Sequence, residues 1–237
     1  MNTTRKGSKH NIIDKYYESL ARGEGSAKKP GQLYYTHVVY PHDYPRILKQ
    51  IQYDPKNESK STFTMKYYSD GDEKHYPVKE LKLRDGELYY ILKGKKRLVI
   101  VVGYIECHWI KKDEPQEVLI CAPVFSFKPY HSQEMVIKAQ AFDYPNLFYL
   151  PPNPYGCYNE SAVRYEMIQP IMSGYLQPFY DRLNNNPAIL TTEAYRLLLV
   201  HLVRFLSNEI IDSKLNDDII AWHDLLIEDW QKTCQVS

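Results

Sequence analysis

The sequence predicts an α+β fold: a small, barrel-like antiparallel β-sheet over roughly Asp85 to Ile171, preceded by a β extension and closed by C-terminal helices. Three observations predict it. Short segments rich in β-branched and aromatic residues recur between Asp85 and Ile171, each bounded by Pro or Gly, which is the spacing of a barrel or sandwich. After Ser173 the apolar residues change from strand-like alternation to three- and four-residue steps, as a helix requires. The chain of 237 residues, 43% hydrophobic and 25% charged, is long enough to bury a substantial core in one large or two small domains.

Residues 1–84 read as an N-terminal extension. Ile12, Ile13, Tyr16, Tyr17 and Leu20 share one face of a short helix ending at Arg22, and Gly23 to Gly31 has the Gly, Ser, Lys and Pro content of a flexible linker. Leu33 to Tyr40 predicts a strand that stops at Pro41, and Ser61 to Ser69 another before an Asp70-Gly71 turn. Residues 85–237 form the second division. There GELYYILKGKKRLVIVVGYIECHWI predicts a hairpin of strands 87–92 and 97–109, with Lys93-Gly94-Lys95-Lys96 at a basic tip. A strand at Val118 to Phe127, a Pro- and Tyr-rich excursion, and strands at Leu147 to Leu150 and Ser161 to Ile171 follow. Three helices are expected at the end: one through Leu176, Phe179, Tyr180 and Leu183, one capped by Thr191 and running to about Leu206, and one over about 214–232 through Leu215, Ile219, Trp222, Leu226 and Trp230. The phrase GQLYYT at Gly31 to Thr36 is echoed by GELYYI at Gly86 to Ile91. This is either a duplication or two strands built from the residue types that strands favour.

Lys and Arg number 30 against 29 Asp and Glu, so no global field commits the chain to nucleic acid or anionic lipid, and any basic site must be local. The longest apolar run, Leu98 to Ile105, is well short of the ~20 residues that cross a bilayer, and the N-terminus is polar, so neither a span nor a secretory signal is expected. Cys107, Cys121, Cys157 and Cys234 are sparse and unevenly spaced, which reads as reduced thiols in a cytoplasmic protein. Cys107, His108, Cys121, His131 and Cys157 lack the spacing of structural zinc ligands, and no metal or cofactor is expected. GxxxxGK[ST], GxGxxG and GxSxG are absent, which argues against nucleotide-dependent enzymes and serine hydrolases of the common types. His201, inside the apolar run LLLVHLVRFL, reads as a hydrogen-bonded core residue.

Gly86-Glu87-Leu88, Lys96-Arg97-Leu98-Val99-Ile100-Val101 and Ala122-Pro123-Val124-Phe125-Ser126 stand in the order of three motifs of the MazF/PemK toxin family: a G-[DE]-[IL] strand, an RP-bearing strand and a CPITS-like strand. SAVRYEMIQPI, Ser161 to Ile171, resembles the family's S-x-V-x-x-x-x-I-R-x-[IV] strand, and the match covers roughly residues 85–206. The resemblance implies a CcdB/PemK-like barrel, a homodimer, a cognate antitoxin as partner, and metal-free cleavage of single-stranded RNA. It also implies that Arg97 stands at the family's arginine, while Phe125 stands where the family has its threonine, leaving the adjacent Ser126 as the hydroxyl.

Metal-free RNA cleavage needs removal of a 2′-OH proton, charge stabilisation on phosphate and protonation of a leaving oxygen. Arg97 suits the phosphate and not proton abstraction, because guanidinium holds its protons too tightly. His108 and His131 are the nearest candidates in sequence for the missing base, since histidine is the residue type whose ordinary pKa lies near neutrality. Arg97 and Ser126 are the expected catalytic pair, with Lys93, Lys95, Lys96 and His131 contacting RNA and nearby tyrosines available for base stacking. Two other readings remain open: a binding module on the same fold that lost catalysis with the threonine, and a gyrase-directed toxin acting through a C-terminal segment with Trp230.

Overall fold

Tyr16 and Tyr17 are both buried, and the backbone around them is paired at long range instead of coiled into a helix. Tyr17–Ser19 forms strand β1, antiparallel to Ala188–Leu190 (β12), and Thr191 N donates to Tyr16 O at 3.0 Å. The apolar spacing that suggested a helix here is satisfied by tertiary pairing. This computed structural model describes residues 7–8, 10–41, 44, 46–52, 54, 56–57, 60, 62–69, 83–84, 87–107 and 116–236.

The expected linker is also packed. Glu24–Ala27 makes a 3-10 turn whose Gly25 carbonyl accepts from Gln32 Nε2 (2.9 Å) and from the Tyr34 hydroxyl (2.8 Å). A Cβ on Gly25 would sit 2.9 Å from Pro187 Cγ, so glycine there allows close approach and not flexibility.

The chain divides into two units: Met1–His37 with Lys96–Ser237, and Val38–Lys95. The expected boundary between residues 84 and 85 falls inside the second unit. That unit carries a three-stranded sheet, with β3 (Arg46–Gln52) between β4 (Thr62–Tyr67) and β5 (Tyr90–Ile91). The expected Asp70-Gly71 turn lies outside the described residues.

The first unit holds the main sheet. β2 (Leu33–Val39) neighbours the 14-residue β6 (Gly94–Cys107), which pairs antiparallel with β7 (Gln116–Ser126). β9 (Ser161–Arg164) pairs with the end of β7 and with β8 (Leu147–Leu150), β10 (Gln169–Met172) pairs with an earlier part of β7, and β11 (Gln177–Pro178) pairs with β2. The strand path is open, and no closed barrel forms among the described residues. The expected 87–109 hairpin is replaced by other pairings: β5 joins β3, while β6 joins β2 and β7. Gly94 to Arg97 consequently belong to a strand and not to a turn.

Helices fill three places. Helix α1 (Gln133–Gln140) arises inside the Pro- and Tyr-rich excursion, where Ser132 Oγ caps Met135 N. The helix expected through Leu176 to Leu183 does not form, because Pro178 lies in its middle; Phe179 N instead donates to Leu33 O at 3.0 Å. Helix α2 (Thr192–Ser207) is capped by Thr191 Oγ1 on Ala194 N, and it buries Ala194, Leu197, Leu198, His201 and Leu202 at helical spacing. Helix α3 (Ser213–Val236) seats Leu226, Trp222 and Trp230 against Ile137 and Ala141 of the α1 region. No described helix is long and apolar enough to cross a membrane.

Candidate functional site

β6 enters the main sheet with Lys96 and Arg97 before its buried core run of Val99, Ile100 and Val101. Val99 pairs with Pro123 on β7, so continuing that register by two residues sets Arg97 opposite Phe125. Phe125 pairs on its other side with Ala162 of β9, and Arg164 follows two residues later on the same face. Phe125 is therefore flanked from both neighbouring strands by arginines. The Arg97 guanidinium carbon lies 4.0 Å from the ring centre and that of Arg164 lies 5.0 Å from it. Cation–π attraction of this kind holds a guanidinium at a wall without consuming its hydrogen-bonding edge.

Arg164 is also held by a carboxylate. Its Nε donates to Glu166 Oε1 at 2.6 Å, with a second contact from Nη2 at 2.5 Å, and Asn146 Nδ2 donates to Glu166 Oε2 at 3.1 Å. Partial burial raises the Glu166 carboxyl, but the hydrogen bonds from Arg164, its own backbone and Asn146 outweigh burial and hold it below the usual carboxylate range. Glu166 is thus ionised at neutral pH and fixes the Arg164 fork.

A cavity of about 530 Å³ opens along this wall, lined by Arg97, Phe125, Ser126, Lys128, His131 and Arg164 among others. Its polar floor comes from a turn. His131 N donates to Lys128 O, and Lys128 N donates to His131 Nδ1 at 2.6 Å. An Nδ1 that accepts leaves the proton of a neutral imidazole on Nε2. The His131 ring lies 4.5 Å from that of Tyr130 and edge-on to Phe127 at 5.7 Å. Ser126 Oγ accepts from Ser161 Oγ at 3.2 Å. Arg97, Ser126 and His131, singled out in the sequence, therefore share one cavity.

The lysines divide differently. Lys96 Nζ donates to Gln177 Oε1 at 2.6 Å and lies 5.7 Å from the Tyr35 ring centre, bordering an adjoining cavity of about 270 Å³ with Arg97 and Ser126. Cys157 also lines that cavity, but burial pushes its thiol up to about 11 despite hydrogen bonds with Tyr17 and Ser161, so it is no thiolate nucleophile. Lys93 and Lys95 belong to the second unit. His108 lies outside the described residues, and no group of three or more His, Cys, Asp or Glu placed to hold a metal occurs among the described ones.

Sequence reasoning missed Arg164, Glu166, Lys128 and the ring of Phe125 as parts of one site. The available signal was parity: in SAVRYEM, Ala162, Arg164 and Glu166 alternate, so the strand that buries Val163 presents Arg164 on the other side. His201 is a core residue as expected. It is buried, and its Nδ1 lies 3.3 Å from the Tyr165 hydroxyl. Compared with family models, with curated proteins and with solved structures, the chain has no significant match.

Proposed function

We propose that this chain is a MazF/PemK-like protein that acts on single-stranded RNA in the Arg97–Ser126–His131 cavity, as a metal-independent endoribonuclease. The observation that carries the reading is the pair of guanidiniums of Arg97 and Arg164 over Phe125 in a cavity that also contains His131. Arg97 answers the charge of a phosphodiester, and Arg164, held by Glu166, forms the wall beside it. His131, its ring oriented by the Lys128 N–H on Nδ1, presents an Nε2–H donor to a phosphate oxygen. Phe125, Phe127 and Tyr130 offer stacking surfaces for bases beside them.

Strand order supports the family reading and shifts where it starts. Gly31-Gln32-Leu33 leads into β2, the neighbour of the arginine-bearing β6, and Gly31 N donates to Val101 O at 2.7 Å, although Gln32 departs from the acidic residue of the family's glycine-led motif. The motif order then runs from β2 to β6 to β7, with residues 38–95 inserted between the first two. The small-barrel architecture belongs to the same proposal: β9 and β10 pair with successive parts of β7, an arrangement that curls a sheet about that strand. A homodimer and a cognate antitoxin are part of the family reading.

The test is incubation of the purified chain with a mixed single-stranded RNA pool in EDTA. Cleavage should fall on the order of 10²-fold in Arg97→Ala, and should fall as well in His131→Ala, which removes the Nε2–H donor. Cleavage indifferent to Arg97→Ala overturns the catalytic assignment. Phe125 at the threonine position favours one second reading, a binding protein without cleavage, and RNA retained uncut by the wild type is its signature.

A further inference from the structure

We infer that the cavity bordered by the end of α1 and by helices α2 and α3 binds a small aromatic carboxylate that also carries an O–H or N–H donor. This cavity shares no described lining residue with the Arg97 cavity, and the inference stands whether or not the chain acts on RNA.

His201 supplies the first constraint. Only 3% of it is exposed, and it lines the cavity from α2. The Tyr165 hydroxyl donates to Leu198 O at 3.0 Å, so its oxygen, 3.3 Å from His201 Nδ1, accepts from that nitrogen. The proton of the imidazole is therefore on Nδ1, and Nε2 is a bare acceptor. No hydrogen bond to Nε2 occurs among the described residues. Burial pushes the imidazole down to about 4, which keeps that lone pair in place at neutral pH. A buried acceptor without a partner in the chain is uncommon. This one lines a cavity of about 380 Å³, a size that small-molecule sites have. Its complement is an O–H or N–H on a ligand.

Arg204 supplies the second constraint. It also lines the cavity, three residues on from His201, and residues at that spacing stand about 5–6 Å apart on one helix face. Arg204 Nη1 donates to Asn216 Oδ1 at 3.3 Å, and the guanidinium has no carboxylate partner among the described residues. Asp143, the one carboxylate in the described lining, has its Oδ1 3.6 Å from His223 Nε2 of α3 instead. A guanidinium in that position calls for an anion.

Most of the remaining wall is apolar. Ile219 is buried, and the Phe142 ring lies 5.1 Å from that of His201. Phe142 holds a left-handed backbone (φ 61°) just past α1, where glycine is the usual residue, so its ring stands beside the cavity at a backbone cost. A hydroxyl and a carboxylate on opposite ends of one benzene ring match this set of groups. The Arg204 charge disfavours an amine, and the apolar wall disfavours a sugar acid, whose hydroxyls would lose water without gaining partners.

The experiment titrates the full chain with 4-hydroxybenzoate, benzoate and phenol in a calorimeter at neutral pH. The wild type should prefer 4-hydroxybenzoate to benzoate by about five-fold, the worth of one neutral hydrogen bond, and that preference should vanish in His201→Leu. Arg204→Gln should weaken both acids about ten-fold or more, and phenol, which lacks the carboxylate, should not distinguish it from the wild type. Circular dichroism superposable on that of the wild type shows that the variants are folded. Should His201→Leu fail to fold, the wild-type preference and the Arg204→Gln loss decide the matter. A preference that survives in His201→Leu overturns the inference, as does 4-hydroxybenzoate affinity unchanged in Arg204→Gln. A wild type that gives no binding heat with millimolar 4-hydroxybenzoate overturns it as well. Absence of RNA cleavage would sink the reading of the Arg97 cavity and leave these titrations as they are.

Discussion

Leu33-Tyr34-Tyr35 and Leu88-Tyr89-Tyr90 are the same tripeptide with opposite fates. In the first unit Leu33 and Tyr34 are buried in β2 beside β6, and the Tyr34 hydroxyl is tied to Gly25 O. In the second unit Tyr89 and Tyr90 are about half exposed, and β5 is only two residues long. Local propensity is equal in the two copies, so the difference comes from what lies against each strand. The first has partners on both edges, β6 and β11, and a core of more than one layer; the second serves one edge of a three-stranded sheet.

The largest effect should separate the two copies directly. Leu33→Ala should cost about 2–5 kcal/mol of unfolding free energy in urea titration, the range for a buried leucine, while Tyr89→Ala should stay within about 0.5 kcal/mol. Equal losses would erase the contrast.

The pH dependence of the first unit comes next. Burial, with a smaller contribution from the Arg204 charge, pushes His201 down to about 4, and the Tyr165 hydroxyl, which donates to Leu198 O, leaves its oxygen to accept from His201 Nδ1. A histidine whose folded pKa lies below its unfolded one binds fewer protons when folded. Its contribution is therefore complete above about 6.5 and declines as pH falls toward about 4. The loss should be on the order of 3 kcal/mol across that window, and chemical denaturation at a series of pH values should show it flattened in His201→Leu.

Smaller effects sharpen the account of how tightly the first unit is packed. A Cβ at Gly156 would lie 2.2 Å from the Tyr17 ring, so Gly156→Ala should destabilise by about 1–3 kcal/mol through overpacking. Thr191→Ala removes both the cap on Ala194 N and the bond to Lys15 O, and should cost about 1–2 kcal/mol in thermal unfolding. A negligible change at either position would mean that the N-terminal segment docks more loosely than its hydrogen bonds indicate.

The parts of the fold legible in the sequence are those whose signal is local. β2, β4, β7, β8 and the two long C-terminal helices follow from alternation, helical period and the Thr191 cap. Local signals failed where a distant partner decided the outcome. Ile12 to Leu20 has helical spacing, yet Tyr17–Ser19 is claimed by β12. The lysine-flanked segment looked like a turn between neighbours in sequence, yet β6 found β2 and β7. The site divides in the same way: Arg97, Ser126 and His131 were visible through motif order and residue chemistry, whereas Arg164 and Glu166 joined them only through the β7–β9 register.

By itself the sequence determined the β character of β2, β4, β7 and β8, the helical character of α2 and α3, the near-zero net charge that makes any basic site local, and the residue types available for phosphate and proton chemistry. Tertiary structure alone decided which strands became neighbours and which of two identical tripeptides was buried. Pairing and burial depend on contacts between residues far apart in the chain, and no property of a short window encodes them.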